Sequence, residues 1–96
     1  MTVEERVARG AALLDEKMPG WYKRIDLGSL HMSSCHACIL GQLYTEYSLG
    51  VAALDINSYQ KIDNGFNDDQ IISYAALAKE WRRVIEARRG QEQGMI

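Results

Sequence analysis

Apolar residues fall in three blocks along the chain, and within each block they recur at the spacing of a helix. Val3, Val7, Ala11, Leu14 and Met18 follow one another at intervals of three and four, with Glu4, Glu5, Arg6, Arg9, Asp15, Glu16 and Lys17 largely between them. The pattern predicts a first helix with one packed face and one wet face. Thr2, followed three residues later by Glu5, is a capping-box pair that serves the N–H groups a helix start leaves orphaned. Gly10 costs about 1 kcal/mol of helix propensity relative to alanine and points to a close backbone approach. Pro19-Gly20 ends the helix, and Trp21 to Ile25 suits a short helical turn capping the core.

In the second block Cys35, Cys38, Ile39, Leu40, Leu43, Tyr44 and Tyr47 cover a broad apolar face. They predict a central helix from about Cys35 to Ser48, N-capped by Ser33 or Ser34, with Gly41 open to a close neighbour. Asp26 to Ser34, which has no sustained period, reads as an ordered loop. Gly50 to Leu54 extends the central helix after a break or starts another short one. Asp55 to Asp69 turns polar and reads as a long loop held to the core by Tyr59, Ile62 and Phe66, with Asn64-Gly65 a tight turn of positive φ. The third block, Tyr74, Leu77, Ala78, Trp81, Val84 and Ile85, predicts a helix capped by Asp68 or Asp69 and stopped by Gly90. The expected fold is all-α: one helical domain over residues 1–90, built as a small bundle of three main helices with a long ordered loop, and a flexible tail at 91–96.

Composition narrows the function classes. The 96 residues suit one domain, and 47% apolar with 25% charged residues is ordinary for a globular chain. A formal net charge of −2 removes the usual electrostatic argument for nonspecific binding to nucleic acid or to an anionic membrane. Lys79, Arg82, Arg83, Arg88 and Arg89 crowd the last block, but Glu80, Glu86 and Glu92 are interleaved with them, which reads as a solvated face. No apolar run resembles a membrane span or a signal peptide, so the expectation is a cytoplasmic protein. The acidic stretch Asp63 to Asp69 fails the calcium-loop register because Gln60 stands five residues before Gly65. Paired carboxylates for acid–base chemistry, a glycine-rich phosphate loop and a nucleophile elbow are absent from the sequence.

The distinctive chemistry is Cys35-His36-Ala37-Cys38, and it reads three ways. As a dithiol, Cys35 in the first turn of a helix gains thiolate character from the helix N-terminus, and Cys38 lies one turn away to resolve a mixed disulfide. Thioredoxin-like proteins set such a pair between a strand and a helix, and no strand is evident before Cys35. As a metal site, the pair is half of a tetrahedral zinc or iron–sulfur centre, with His31 and His36 as further candidates. No second ligand pair follows in the chain, so a four-cysteine site requires a homodimer. As structure, both cysteines are small buried apolar groups on the core face of the helix, free or oxidised to one another and without catalysis, with His36 pointing away into solvent and no cofactor.

Arg9-Gly10-Ala11-Ala12-Leu13-Leu14-Asp15-Glu16, Pro19-Gly20-Trp21, Ile25-Asp26-Leu27, the run Ser33 to Tyr44, Asn64-Gly65-Phe66 and Trp81 together resemble a family of small proteins without assigned activity. Its members are encoded by actinobacteria and their bacteriophages. The resemblance covers nearly the whole chain, and the Ser-Cys-x-x-Cys-x-Leu-Gly-Gln-Leu segment is its most specific part. Where that family often carries a glycine after the aromatic, this chain has Thr45. The resemblance brings no catalytic residue or cofactor. It implies a phage or prophage origin, and with it a non-enzymatic module that binds a host or phage protein; a zinc, iron–sulfur or dithiol redox protein using Cys35 and Cys38 is the alternative.

Overall fold

The computed structural model describes residues 1–93, and the side chains of residues 1–91. The chain forms the all-α bundle that the periodicity predicts. α1 spans Val3–Lys17, a 3-10 turn Trp21–Arg24, α2 Ile39–Tyr44, α3 Tyr47–Leu54, α4 Ser58–Asp63 and α5 Tyr74–Gln93. α1 starts on the expected capping box: the Thr2 hydroxyl accepts from the Glu5 N–H at 3.1 Å and the Glu5 carboxylate accepts from the Thr2 N–H at 3.2 Å. It ends before Pro19, and Gly20 takes φ +80° to turn the chain into Trp21.

α1 packs along α5, and their facing stripes make the centre of the core. Val7, Ala11 and Leu14 from α1 and Leu77, Trp81 and Ile85 from α5 are almost wholly buried. A buried tryptophan needs an acceptor for its indole N–H. Trp81 Nε1 donates to the Gly65 carbonyl at 2.7 Å, its ring stacks on Phe66 with centroids 5.5 Å apart, and Trp21 meets it edge-on at 5.6 Å. Gly10 makes the junction possible. A β-carbon there would collide with the Asn64 carbonyl oxygen and lie 2.9 Å from the Trp81 ring. Gly65 adopts φ +74° in the turn foreseen at Asn64-Gly65.

From Cys35 onward the chain departs from expectation in five places. The single helix expected over Cys35 to Ser48 is two helices, α2 and α3, packed on each other with a corner at Thr45-Glu46. The long loop contains α4, which opens on a second capping box: Asn57 Oδ1 accepts from the Gln60 N–H and Gln60 Oε1 from the Asn57 N–H, both at 2.9 Å. Phe66 and, less deeply, Ile62 anchor this segment, but Tyr59 is 81% exposed and anchors nothing. α5 is capped by Ser73, whose hydroxyl accepts from the Ala76 N–H at 3.1 Å; Asp69 instead orders the preceding loop, taking the Ile71 and Ile72 N–H groups at 2.8 and 2.7 Å. α5 also runs through Gly90 to Gln93, so the stretch expected to begin a flexible tail at 91 continues the helix; residues 94–96 lie outside the described residues.

The basic cluster of α5 has structural work of its own. Arg82 donates to the Leu27 carbonyl at 2.8 Å, Arg89 to the carbonyls of Tyr22 and Ile25, and Arg88 pairs with Asp15 while lying over the Trp21 ring. Arg83 pairs with Glu80 one turn earlier. Two of the five cations read as a solvated face, Arg82 and Arg89, are therefore ties to the 22–27 segment. Across the core, buried Arg6 of α1 donates to Asp69 at 2.7 Å.

Two outcomes follow for stability. Gly10→Ala inserts a methyl group where backbone and indole already meet, so its unfolding free energy in urea should drop by about 1–3 kcal/mol; an unchanged midpoint would show that α1 can move away from Asn64 at little cost. For pH, the Asp69 carboxyl is held down at about 2, from an ordinary 3.8, by the N–H of Ile72, then by Arg6 and the N–H of Ile71. A depressed folded pKa means that the contribution is complete above about 3.8 and disappears as pH falls to about 2. Thermal midpoints recorded across that window should fall more steeply for the wild type than for Asp69→Asn.

Candidate functional site at the Cys35–Cys38 turn

Every residue from Ser34 to Cys38 is engaged in holding local backbone. The Ser34 hydroxyl accepts from the N–H groups of His36 and Ala37 at 3.3 and 3.1 Å, and its carbonyl accepts from the Cys38 N–H at 3.2 Å, closing one isolated turn. The Cys35 carbonyl accepts from the N–H of Tyr47, the first residue of α3, at 2.8 Å. His36 Nδ1 lies 2.9 Å from the Thr45 carbonyl oxygen; a carbonyl can only accept, so the imidazole carries its proton on Nδ1. The Ala37 carbonyl takes the His31 N–H at 3.1 Å and the Gln42 amide at 3.0 Å. Cys38 is the N-cap of α2, its Sγ accepting from the Gly41 N–H at 3.2 Å.

This arrangement overturns the expected position of the first cysteine. Cys35 lies outside the helix, so the helix terminus expected to favour its thiolate is not next to it, and the cap is a cysteine rather than Ser33 or Ser34. Cys38, which does sit at the helix start, is 2% exposed, and burial pushes its thiol pKa up in spite of the Gly41 N–H. Both thiols are free, Cys35 exposed and Cys38 buried. The expectation that both cysteines are buried therefore holds for Cys38 alone. His31 and His36 are exposed, and among the described residues no three His, Cys, Asp or Glu side chains are gathered as a metal would require.

The turn explains residues that a search for chemistry passes over. A β-carbon on Gly41 would collide with the Cys35 carbonyl oxygen and lie 2.7–2.8 Å from the His36 backbone, so the close neighbour is the motif itself. The Gln42 side chain bridges the motif to the first loop, accepting from the Asp26 N–H at 2.6 Å and donating to the Asp26 carbonyl at 3.1 Å. Thr45 stands at φ +79°, ψ −40°, outside the regions that a β-branched residue occupies without strain. The His36 ring on its carbonyl and the Tyr47–Cys35 bond on the far side hold it there.

The exposed face of the turn opens on a cavity of about 110 Å³ over Met32 and Phe66, bordered by Cys35, Tyr47, Asn67 and Tyr74. The hydroxyls of Tyr47 and Tyr74 both donate to Asn67 Oδ1, at 3.4 and 3.1 Å. Burial pushes the Tyr47 phenol up to about 12 and raises that of Tyr74, so both remain donors at neutral pH. Neither tyrosine nor Asn67 carries a sequence signature that joins it to the dithiol; tertiary packing alone brings them together. The site thus offers an accessible thiol beside neutral donors. Compared with protein-family models, curated proteins and solved structures, the chain matches none.

Thr45→Gly should relieve the corner. Glycine adopts this φ freely, so unfolding in urea should show a gain of about 1 kcal/mol after the entropy cost of glycine is subtracted. A loss of stability would show that the threonine side chain supports the corner more than its backbone strains it.

Proposed function

We propose that this protein is a small phage- or prophage-type module of the cytoplasm that acts without catalysis, by binding a host or phage protein through α3. The observation that carries the reading is the surface of that helix. Its eight residues, Tyr47-Ser48-Leu49-Gly50-Val51-Ala52-Ala53-Leu54, include no charged side chain, yet only Gly50 and Leu54 are buried. A helix apolar on all sides is normally enclosed. Here Leu49 is 52% exposed, and Ala52 and Ala53, three and four residues on, share its face and are exposed as well. A leucine flanked by two alanines gives a partner a side chain to cover and a surface that its backbone can approach.

The resemblance to phage-encoded proteins adds a reason for such a surface, since small phage proteins commonly act by binding a host protein. The dithiol enters this reading as architecture: its backbone sets the first residue of α3 through the Cys35–Tyr47 bond.

Immobilised full-length protein should retain a specific protein from an actinobacterial lysate. Leu49→Lys, at an exposed position and checked by circular dichroism for an intact fold, should weaken that retention about tenfold or more, the effect of losing one contact worth about 1.4 kcal/mol. Recovery of no specific protein, or equal recovery by wild type and variant, would sink the proposal.

A further inference from the structure

The two thiols of the Cys35–Cys38 turn are unlike one another in a way that assigns them different roles. Cys35 is exposed at the mouth of the cavity, whereas Cys38 lies in the core with its sulfur taken up by the Gly41 N–H. The Ser34–Cys38 hydrogen bond makes the segment one helical turn. Residues three apart in such a turn have β-carbons about 5–6 Å apart, slightly wider than the roughly 3.5–4.5 Å a disulfide requires. A small movement of the exposed residue closes that gap. Such a movement would disturb both helices at the corner, because Gly41 of α2 lies against the Cys35 carbonyl, and the same carbonyl holds the Tyr47 N–H of α3.

We propose that Cys35 and Cys38 are a reversible modification site for hydroperoxides, which convert them into an intramolecular disulfide and loosen the starts of α2 and α3. In the first step the Cys35 thiol gives its proton to water and the sulfur attacks a peroxide oxygen. The O–O bond breaks, Cys35 becomes a sulfenic acid, and the departing oxygen takes a proton to leave as water or an alcohol. In the second step Cys38 loses its proton and its sulfur attacks that of Cys35; the S–O bond breaks and hydroxide leaves as water. The two thiols together lose two electrons, which the hydroperoxide gains. Cys38 must release the Gly41 N–H to take part, so the disulfide forms at the expense of the α2 cap. The inference is independent of the binding role proposed for α3.

The test uses the full-length reduced protein and hydrogen peroxide, read by non-reducing intact mass and by amide exchange. The wild type should lose two hydrogens, with peptide mapping placing the bond between Cys35 and Cys38 and dithiothreitol reversing it. Cys35→Ser should keep the Cys38 thiol intact, and Cys38→Ala should stop at a sulfenic acid on Cys35 that dimedone traps. The Gly41 and Tyr47 amides should exchange about tenfold faster in the oxidised protein, as expected for a lost cap. Retention of both thiols, oxygen addition without loss of two hydrogens, an intermolecular disulfide, equal reactivity of Cys35→Ser, or unchanged amides would each overturn the proposal. If Cys38→Ala does not fold, the wild-type mapping and Cys35→Ser still decide it.

Discussion

The fold depends on giving Trp81 a hydrogen-bond acceptor in the middle of an apolar core. Its indole is fully buried, and the carbonyl that receives its N–H belongs to Gly65, in the loop that follows α4. That loop reaches the ring only because α1 presents Gly10 at the crossing, where any side chain would push Asn64 away. Phe66 is then delivered onto the face of the indole and Trp21 against its edge. One polar atom in α5 thereby fixes the distance of α1, the conformation of the 64–66 turn and the seat of the 3-10 turn. An unsatisfied buried donor would cost about 1–3 kcal/mol, a large share of the few kcal/mol by which a domain of this size is stable.

Around that centre, ordering is achieved mainly by side chains acting on backbone. Residues 22–27 pass over the bundle with only one 3-10 turn of regular structure, and they are held by Arg82 and Arg89 of α5 and by Gln42 of α2. The Cys35–Cys38 turn follows the same logic in the opposite direction, lending carbonyls, an imidazole and a sulfur to the termini of α2 and α3. A guanidinium with its fan of donors suits the carbonyls of Tyr22, Ile25 and Leu27, while small polar side chains suit tight turns.

How much of this was legible follows from length and periodicity. α1 and α5 are long enough for three- and four-residue spacing to declare itself, and Thr2 with Glu5 marks the first start plainly. The centre misleads because α2 and α3 carry six and eight residues, and their apolar positions run on in one unbroken helical phase across Thr45. α4 was legible by the rule that revealed α1, since Asn57 and Gln60 form the same reciprocal cap, but the surrounding polar composition spoke for a loop. Candidate chemistry at Cys35 and Cys38 was easy to see and its geometry was not. The decisive contacts run to Tyr47, Gln42 and Thr45, and neither cysteine spacing nor composition encodes which carbonyl a turn will expose.

The pairing of α1 with α5 has a consequence for how the chain is made. Arg6 and Asp69 are separated by 63 positions and Asp15 and Arg88 by 73, and the apolar stripe of α1 finds its cover on a helix that begins only at Tyr74. During synthesis, then, Val7, Ala11 and Leu14 leave the ribosome well before Leu77, Trp81 and Ile85 exist. Helices α2 and α4, too short to persist alone, cannot shelter them in the meantime. The apolar stripe of α1 therefore stays without its α5 cover until nearly all of the described residues have been translated.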